Sequence, residues 1–73
     1  MYPLIDQYGT KRWQNEKGKL HRVGGPAIIA EDGTIAYFKD GVLHRPDGPA
    51  IIRANGEKEF WEYGVFIHKT REI

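Results

Sequence analysis

The chain has 73 residues, a formal net charge of +1, no cysteine, and nine glycines and four prolines beside nine aromatic residues. That size predicts one small domain with a thin core. The charge excludes a bulk field drawing the chain onto nucleic acid or a membrane, and the missing cysteine excludes disulfides and thiolate metal sites. Turn formers mixed with aromatics predict an all-β chain. No stretch is long and apolar enough to span a bilayer and no secretory leader is visible, so a soluble cytoplasmic protein is expected, in the host cell cytoplasm if the source is viral.

In chain order, residues 1–6 predict an edge strand, where the missing donor of Pro3 is tolerated. From Gln7 onward glycine punctuates the chain. Tyr8-Gly9, Lys17-Gly18, Asp32-Gly33, Asp40-Gly41, Asn55-Gly56 and Tyr63-Gly64 each predict a tight hairpin turn with glycine at positive φ. Gly33 to Gly41 and Gly56 to Gly64 are both eight residues apart, which leaves room for a strand of about five residues. Gly9 to Gly18 is one residue longer and reads as a degenerate copy with an insertion near Glu16-Lys17. Trp13, Tyr37 and Phe60 then fall on one strand face, expected to be the core. Gln14, Phe38 and Trp61 fall on the other.

The segment 20–29, Leu-His-Arg-Val-Gly-Gly-Pro-Ala-Ile-Ile, returns 23 residues later as 43–52, with Val23 replaced by Pro46 and Gly24 by Asp47. A unit this short buries its apolar face only against its neighbours, so the architecture is a repeat array. Pro26 and Pro49 mark the start of a strand or a bend. The boundaries predicted are a single domain over 1–73, made of a degenerate repeat 7–19, repeats 20–42 and 43–65, and a partial cap 66–73 that lacks the Gly-Pro-Ala corner. The fold expected is all-β, a meander of short antiparallel hairpins built from about two and a half 23-residue units. The last copy should lack a covering strand and leave an edge for self-pairing or another chain.

Residues 32–45, Asp-Gly-Thr-Ile-Ala-Tyr-Phe-Lys-Asp-Gly-Val-Leu-His-Arg, resemble the variant MORN repeat. With the added His-Arg-x-x-Gly-Pro-Ala, they are similar to a repeat of small uncharacterised proteins of bacteriophages and large DNA viruses. The resemblance covers about residues 9–69. It implies a β-hairpin ladder used as a binding scaffold, with antitoxin-like relatives that act by holding another protein. The usual MORN repeat has glycine where Arg22 and Arg45 stand, so the lipid binding of the wider family is not carried over.

The chemistry on offer is sparse. His21-Arg22 and His44-Arg45 could grip phosphate or carboxylate through a guanidinium fork. Alternatively, each Arg pairs with an acid such as Asp47, Glu31 or Asp32 or caps the Gly-Pro corner, while each His packs on an aromatic. A shared metal on His21, His44 and His68 would need a tightly curled sheet, and no cofactor is expected. There is no Cys or Ser, and no carboxylate pair recurs, so an enzyme is not expected. Lys11, Arg12, Lys17, Lys19 and Arg22 around Trp13 could track a nucleic-acid backbone, but Glu57, Glu59 and Glu62 surround Trp61 in the corresponding place. Trp13, Phe38 and Trp61 could anchor a protein. The expectation is therefore a non-catalytic protein-binding module. On the resemblance it is a small phage-type accessory protein that inhibits a host protein, such as a defence factor or toxin, by occupying it. The alternatives are an oligomeric binder of a nucleotide or nucleic acid through the His-Arg pairs, and a structural virion subunit.

Overall fold

The computed structural model describes residues 3–70. In chain order the strands are β1 (Leu4–Ile5), β2 (Lys11–Arg12), β3 (Ile28–Ile29), β4 (Ile35–Ala36), β5 (Phe38–Lys39), β6 (Val42–Leu43), β7 (Ile51–Ile52), β8 (Lys58–Glu62) and β9 (Val65–Thr70). Seven of them form one open antiparallel sheet in the order β1-β2-β3-β4-β7-β8-β9, and β5 and β6 form a separate hairpin. The all-β hairpin meander read from the sequence is the fold. β1 lies at one edge with Leu4 and Ile5 exposed, as Pro3 suggested, and β9 lies at the other.

The predicted turn glycines all sit at positive φ, but they serve two kinds of turn. Four are three-residue loops in which the glycine amide donates back to the loop's first carbonyl, for example Gly33 N to Ala30 O at 3.1 Å. A side-chain oxygen fixes several of them: Asp6 Oδ1 accepts from the amides of Tyr8 and Thr10, and Asn15 Oδ1 from those of Lys17 and Lys19. The insertion near Glu16-Lys17 is one such loop. The other turns, Asp40-Gly41 and Tyr63-Gly64, are two-residue turns in which the non-glycine residue also has positive φ, 48° in both.

The strand expected between Gly33 and Gly41 is broken at Tyr37, where the backbone changes partners. Tyr37 N donates to Ala50 O at 2.7 Å, while its carbonyl accepts from His44 N at 3.1 Å. β4 therefore belongs to the main sheet, and β5 turns out of it into a hairpin tip. Trp13 does the same in the first copy, donating to Ala27 O and accepting from His21 N. Each alanine sits where two copies meet: Ala27 N donates to Ala36 O, and Ala50 N to Glu59 O. Both alanines have 0% exposure.

In the last copy β8 runs on unbroken for five residues and pairs along its length with β9, with one bulge between Phe60 and Trp61. The partial last copy is β9 itself, and among the described residues no further strand covers it, which is the open edge expected from the sequence. Without a Gly-Pro-Ala loop the chain returns at once, and Lys69 and Thr70 take, against β8, the positions that Ile51 and Ile52 take against β4. The exposed edge is β9 itself, with Val65, Phe66 and Ile67 each about half exposed or more.

The core is thin. Among the described residues its buried hydrophobic members are Trp13, Ala27, Ala36 and Ala50, and no large side chain is fully buried. Stability therefore depends on the small contacts between neighbouring copies as much as on apolar burial.

Candidate binding grooves

The repeated Leu-His-Arg segment is built into the ladder. The amides of each two-residue turn are taken by the preceding copy. Leu20 O accepts from Gly41 N at 2.8 Å, and His21 Nδ1 accepts from Asp40 N at 3.0 Å. One copy later, Leu43 O accepts from Gly64 N at 2.7 Å, and His44 Nδ1 accepts from Tyr63 N at 2.9 Å. His44 also stacks on the Tyr63 ring, 4.1 Å between centroids. Asp40 Oδ1 lies 3.7 Å from His21 Nδ1. Because that nitrogen already accepts a backbone hydrogen bond, it carries no proton, and the closeness is not an ion pair.

The arginines close over their own copy. The Arg22 guanidinium lies 3.9 Å from the Trp13 ring centroid, and that of Arg45 lies 4.0 Å from Tyr37. Each donates to the carbonyl of its corner proline, Pro26 at 3.2 Å and Pro49 at 3.1 Å. Gly25 and Gly48 make room: a Cβ at Gly25 would stand 3.0 Å from Arg22 Cζ. Trp13 is thus buried under Arg22 and offers no face for stacking a base. Its basic neighbour Arg12 is paired with Asp6 at 3.2 Å. In the last copy, His68 takes over as the lid and stacks on Phe60 at 4.3 Å and 8°.

On either side of the second Gly-Pro loop the surface dips into a groove, the first bounded by the first loop and the second by β9, and the two correspond to each other under the 23-residue repeat. The first, about 470 Å³, is walled by residues 21–25 and 44–47 and floored by Tyr37, Phe38 and Lys39. The second, about 240 Å³, is walled by residues 45–48 and 67–68 and floored by Phe60, Trp61 and Glu62. Of the residues singled out in the sequence, His21, Arg22, Phe38, His44 and Arg45 line the first groove. Arg45 also lines the second with Trp61, and Trp13 supports the first from beneath. Trp61 is tethered, its Nε1 donating to Glu59 Oε1 at 3.1 Å and its ring meeting Phe66 edge-on.

Sequence reasoning did not select Val23, Lys39, Asp47 or Glu62, which give the grooves their individuality. The signal was present in the departures from repetition: Val23 against Pro46, Gly24 against Asp47 and Lys39 against Glu62. Arg45 Nε lies 3.5 Å from Asp47 Oδ1, whereas Arg22 has Gly24 in the matching place.

Near the second groove, Arg53 Nη2 donates to Glu59 Oε2 at 2.7 Å. With Trp61 donating to the other oxygen, this holds the Glu59 carboxyl below the usual glutamate range. Among the described residues, no group of three or more His, Cys, Asp or Glu is placed to hold a metal, and no helix is long and apolar enough to cross a membrane.

Comparison with protein-family models, with curated proteins and with solved structures returns no match.

Proposed function

We propose that the chain is a non-catalytic binding module that holds another protein along the two grooves that flank its second Gly-Pro loop. The observation that carries this reading is the pair of grooves on a constant scaffold. Repeated residues, His21 and His44 among them, hold the copies together and form the groove walls, and residues that differ between copies, Val23 against Pro46, Gly24 against Asp47 and Lys39 against Glu62, give each groove its own lining. A scaffold that fixes the backbone while varying the lining suits recognition, because specificity follows from a few side chains on a rigid frame. His21 and His44 are engaged at Nδ1 by the next copy's turn amides, and Arg22 and Arg45 are packed on rings of their own copy, an arrangement that favours a binder over a catalyst. The resemblance to phage and viral repeats supplies the class of partner, a host cytoplasmic protein such as a defence factor or toxin that is inhibited by being occupied. The exposed edge of β9 is the candidate contact for a second copy, which light scattering over a concentration series reads directly.

The test is capture of host proteins by the tagged chain, run beside Phe38→Asp and Lys39→Glu. Phe38 is half-buried and Lys39 exposed on the groove floor. A protein retained by the parent chain and lost with variants that keep its melting temperature supports the reading. Retention indifferent to both substitutions defeats it.

A further inference from the structure

We propose, on the strength of that binding reading, that the first groove is a seat for a carboxylate presented by an acidic segment of the partner protein, next to an apolar residue of that segment.

The two arginines are packed alike but neutralised differently. Arg45 has the Asp47 carboxylate beside it, whereas Arg22 has no carboxylate within ion-pair distance among the described residues. The guanidinium of Arg22 carries five N–H donors, of which the Pro26 carbonyl accepts at Nη1. The guanidinium is held between the Trp13 ring, 3.9 Å from its centroid, and the Gly25 backbone. A carboxylate docking there meets a donor already ordered, which lowers the entropic cost of binding.

The surroundings add to this. Lys39 is exposed and has no ion-pair partner among the described residues. His21 and His44 both accept at Nδ1, so in the neutral ring their proton sits on Nε2 and each is a donor. Val23, 86% exposed on the wall, and Phe38 on the floor give an adjoining apolar surface.

The same layout disfavours a phosphate polymer. Asp47 stands on the far wall of this groove, and one repeat further the floor carries Glu62 where the first carries Lys39. A polyanion following the two grooves would run onto carboxylates. A single acidic side chain on the Arg22 side of the first groove meets Arg22 and Lys39, while Asp47 on the opposite wall is already beside Arg45.

The loops supply the test when both residues are exchanged together: Gly24 has φ 84°, in the left-handed region, and Asp47 lies outside that region, so an Asp at position 24 requires the first loop to take the backbone of the second. Val23→Pro with Gly24→Asp writes the second loop into the first and brings a carboxylate to Arg22. Pro46→Val with Asp47→Gly does the reverse and frees Arg45. The probe is a labelled, end-blocked six-residue peptide, Gly-Glu-Leu-Asp-Phe-Gly, read by fluorescence anisotropy. It is run beside its Gln/Asn counterpart, inorganic phosphate and a single-stranded oligonucleotide. The acidic peptide is expected to bind at least about ten-fold more tightly than its amide counterpart. Its affinity should fall about ten-fold in the first loop variant, rise in the second, and weaken as salt is added. Lys39→Glu, which leaves both loops alone, should also weaken it and covers the case of a loop variant that fails to fold.

Equal binding of the acidic and amide peptides, or no response to either loop exchange in folded protein, overturns the proposal. Tighter binding of the oligonucleotide than of the peptide overturns it in favour of a phosphate ligand. Carrying the loop variants through the capture experiment separates the two readings. Retention that ignores the loop exchange but is lost with Phe38→Asp removes the carboxylate assignment alone, whereas retention indifferent to every groove substitution removes the binding reading as well.

Discussion

The copy over residues 33–52 and the copy over residues 56–70 begin with the same turn and the same aromatic position, and then diverge. In the former the strand breaks at Tyr37, the chain makes a hairpin tip, and a loop through Gly48-Pro49 brings Ala50 back as a spacer between copies. In the latter the loop is missing, and β8 and β9 run together as one long hairpin. The loop therefore sets whether an aromatic residue is a corner or a point on a straight strand. It supplies the return strand at a distance, so that Tyr37 N finds Ala50 O while its carbonyl finds His44 N. Without the loop, the halves of the strand before and after the aromatic residue pair with the same neighbour, β9. The corner shapes the first groove, whose walls are the two loops and whose floor is the tip that the corner projects, whereas the smaller second groove is floored by the straight β8 and walled on one side by β9.

The largest effect expected on this contrast comes from the spacer. Ala50→Leu forces extra volume into a site with 0% exposure and should cost about 3 kcal/mol. For a chain this short that lowers the melting temperature by more than 10 °C, on the order of 4–8 °C per kcal/mol. Thr70→Leu, on the exposed strand that replaces the loop, should change it little, and an equal loss at both positions would break the comparison.

Next is the lid. Arg45→Ala uncovers Tyr37 and leaves Pro49 O without its guanidinium donor, an expected loss of about 2 kcal/mol in chemical denaturation. Arg45→Lys should recover less than half of it, because an ammonium cannot lie flat on the ring and reach the carbonyl together. His68→Ala removes only a ring stack on an exposed strand and should cost about 0.5–1 kcal/mol.

An acid titration sharpens the contrast further. Ala36 in the looped copy corresponds to Glu59 in the terminal one, where Arg53 hydrogen-bonds hold the carboxyl below its ordinary value. A group depressed in the folded state contributes its stability above the unfolded value, and that stability is lost as pH falls through the lower folded value. The chain should therefore lose stability below about pH 4.5, the ordinary glutamate value. Glu59→Gln should flatten part of that acid limb, leaving the contribution of Asp6, which is held low first by the Tyr8 amide. The smallest effect expected is for His44→Phe. The stack on Tyr63 is kept and only the acceptor for an exposed amide is lost, for about 0.5 kcal/mol.

Much of this molecule was legible as text because its instructions are local. The Gly spacing placed the turns, the period gave the array, and Pro3 placed the first edge. What was not legible depends on contacts between copies. Nothing within residues 33–41 says that the strand should break at Tyr37, since the break is decided by where Ala50 returns. Trp13, set among Lys11, Arg12, Lys17 and Lys19, read as a candidate stacking ring, yet Arg22 of the same copy folds over it. The His-Arg pair read as a binding motif or a structural one, and its geometry became clear only when the next copy's turn amides were found on the imidazoles. The groove residues Val23 and Gly24 were visible all along as the breaks in an otherwise perfect repetition.

Ala27 is hydrogen-bonded to Trp13 and Ala36, and Ala50 to Tyr37 and Glu59, so each joint is made between neighbouring copies, and the terminal hairpin closes the array without reference to how many units precede it. A further unit of 23 residues inserted after residue 42 would thus leave both ends as they are, lengthen the sheet by two strands and add one groove. Tandem duplication of a short stretch of gene is enough to do this. The new groove would then diverge by changes at the loop positions matching Val23 and Gly24 and at the floor position matching Lys39, without disturbing the joints that hold it.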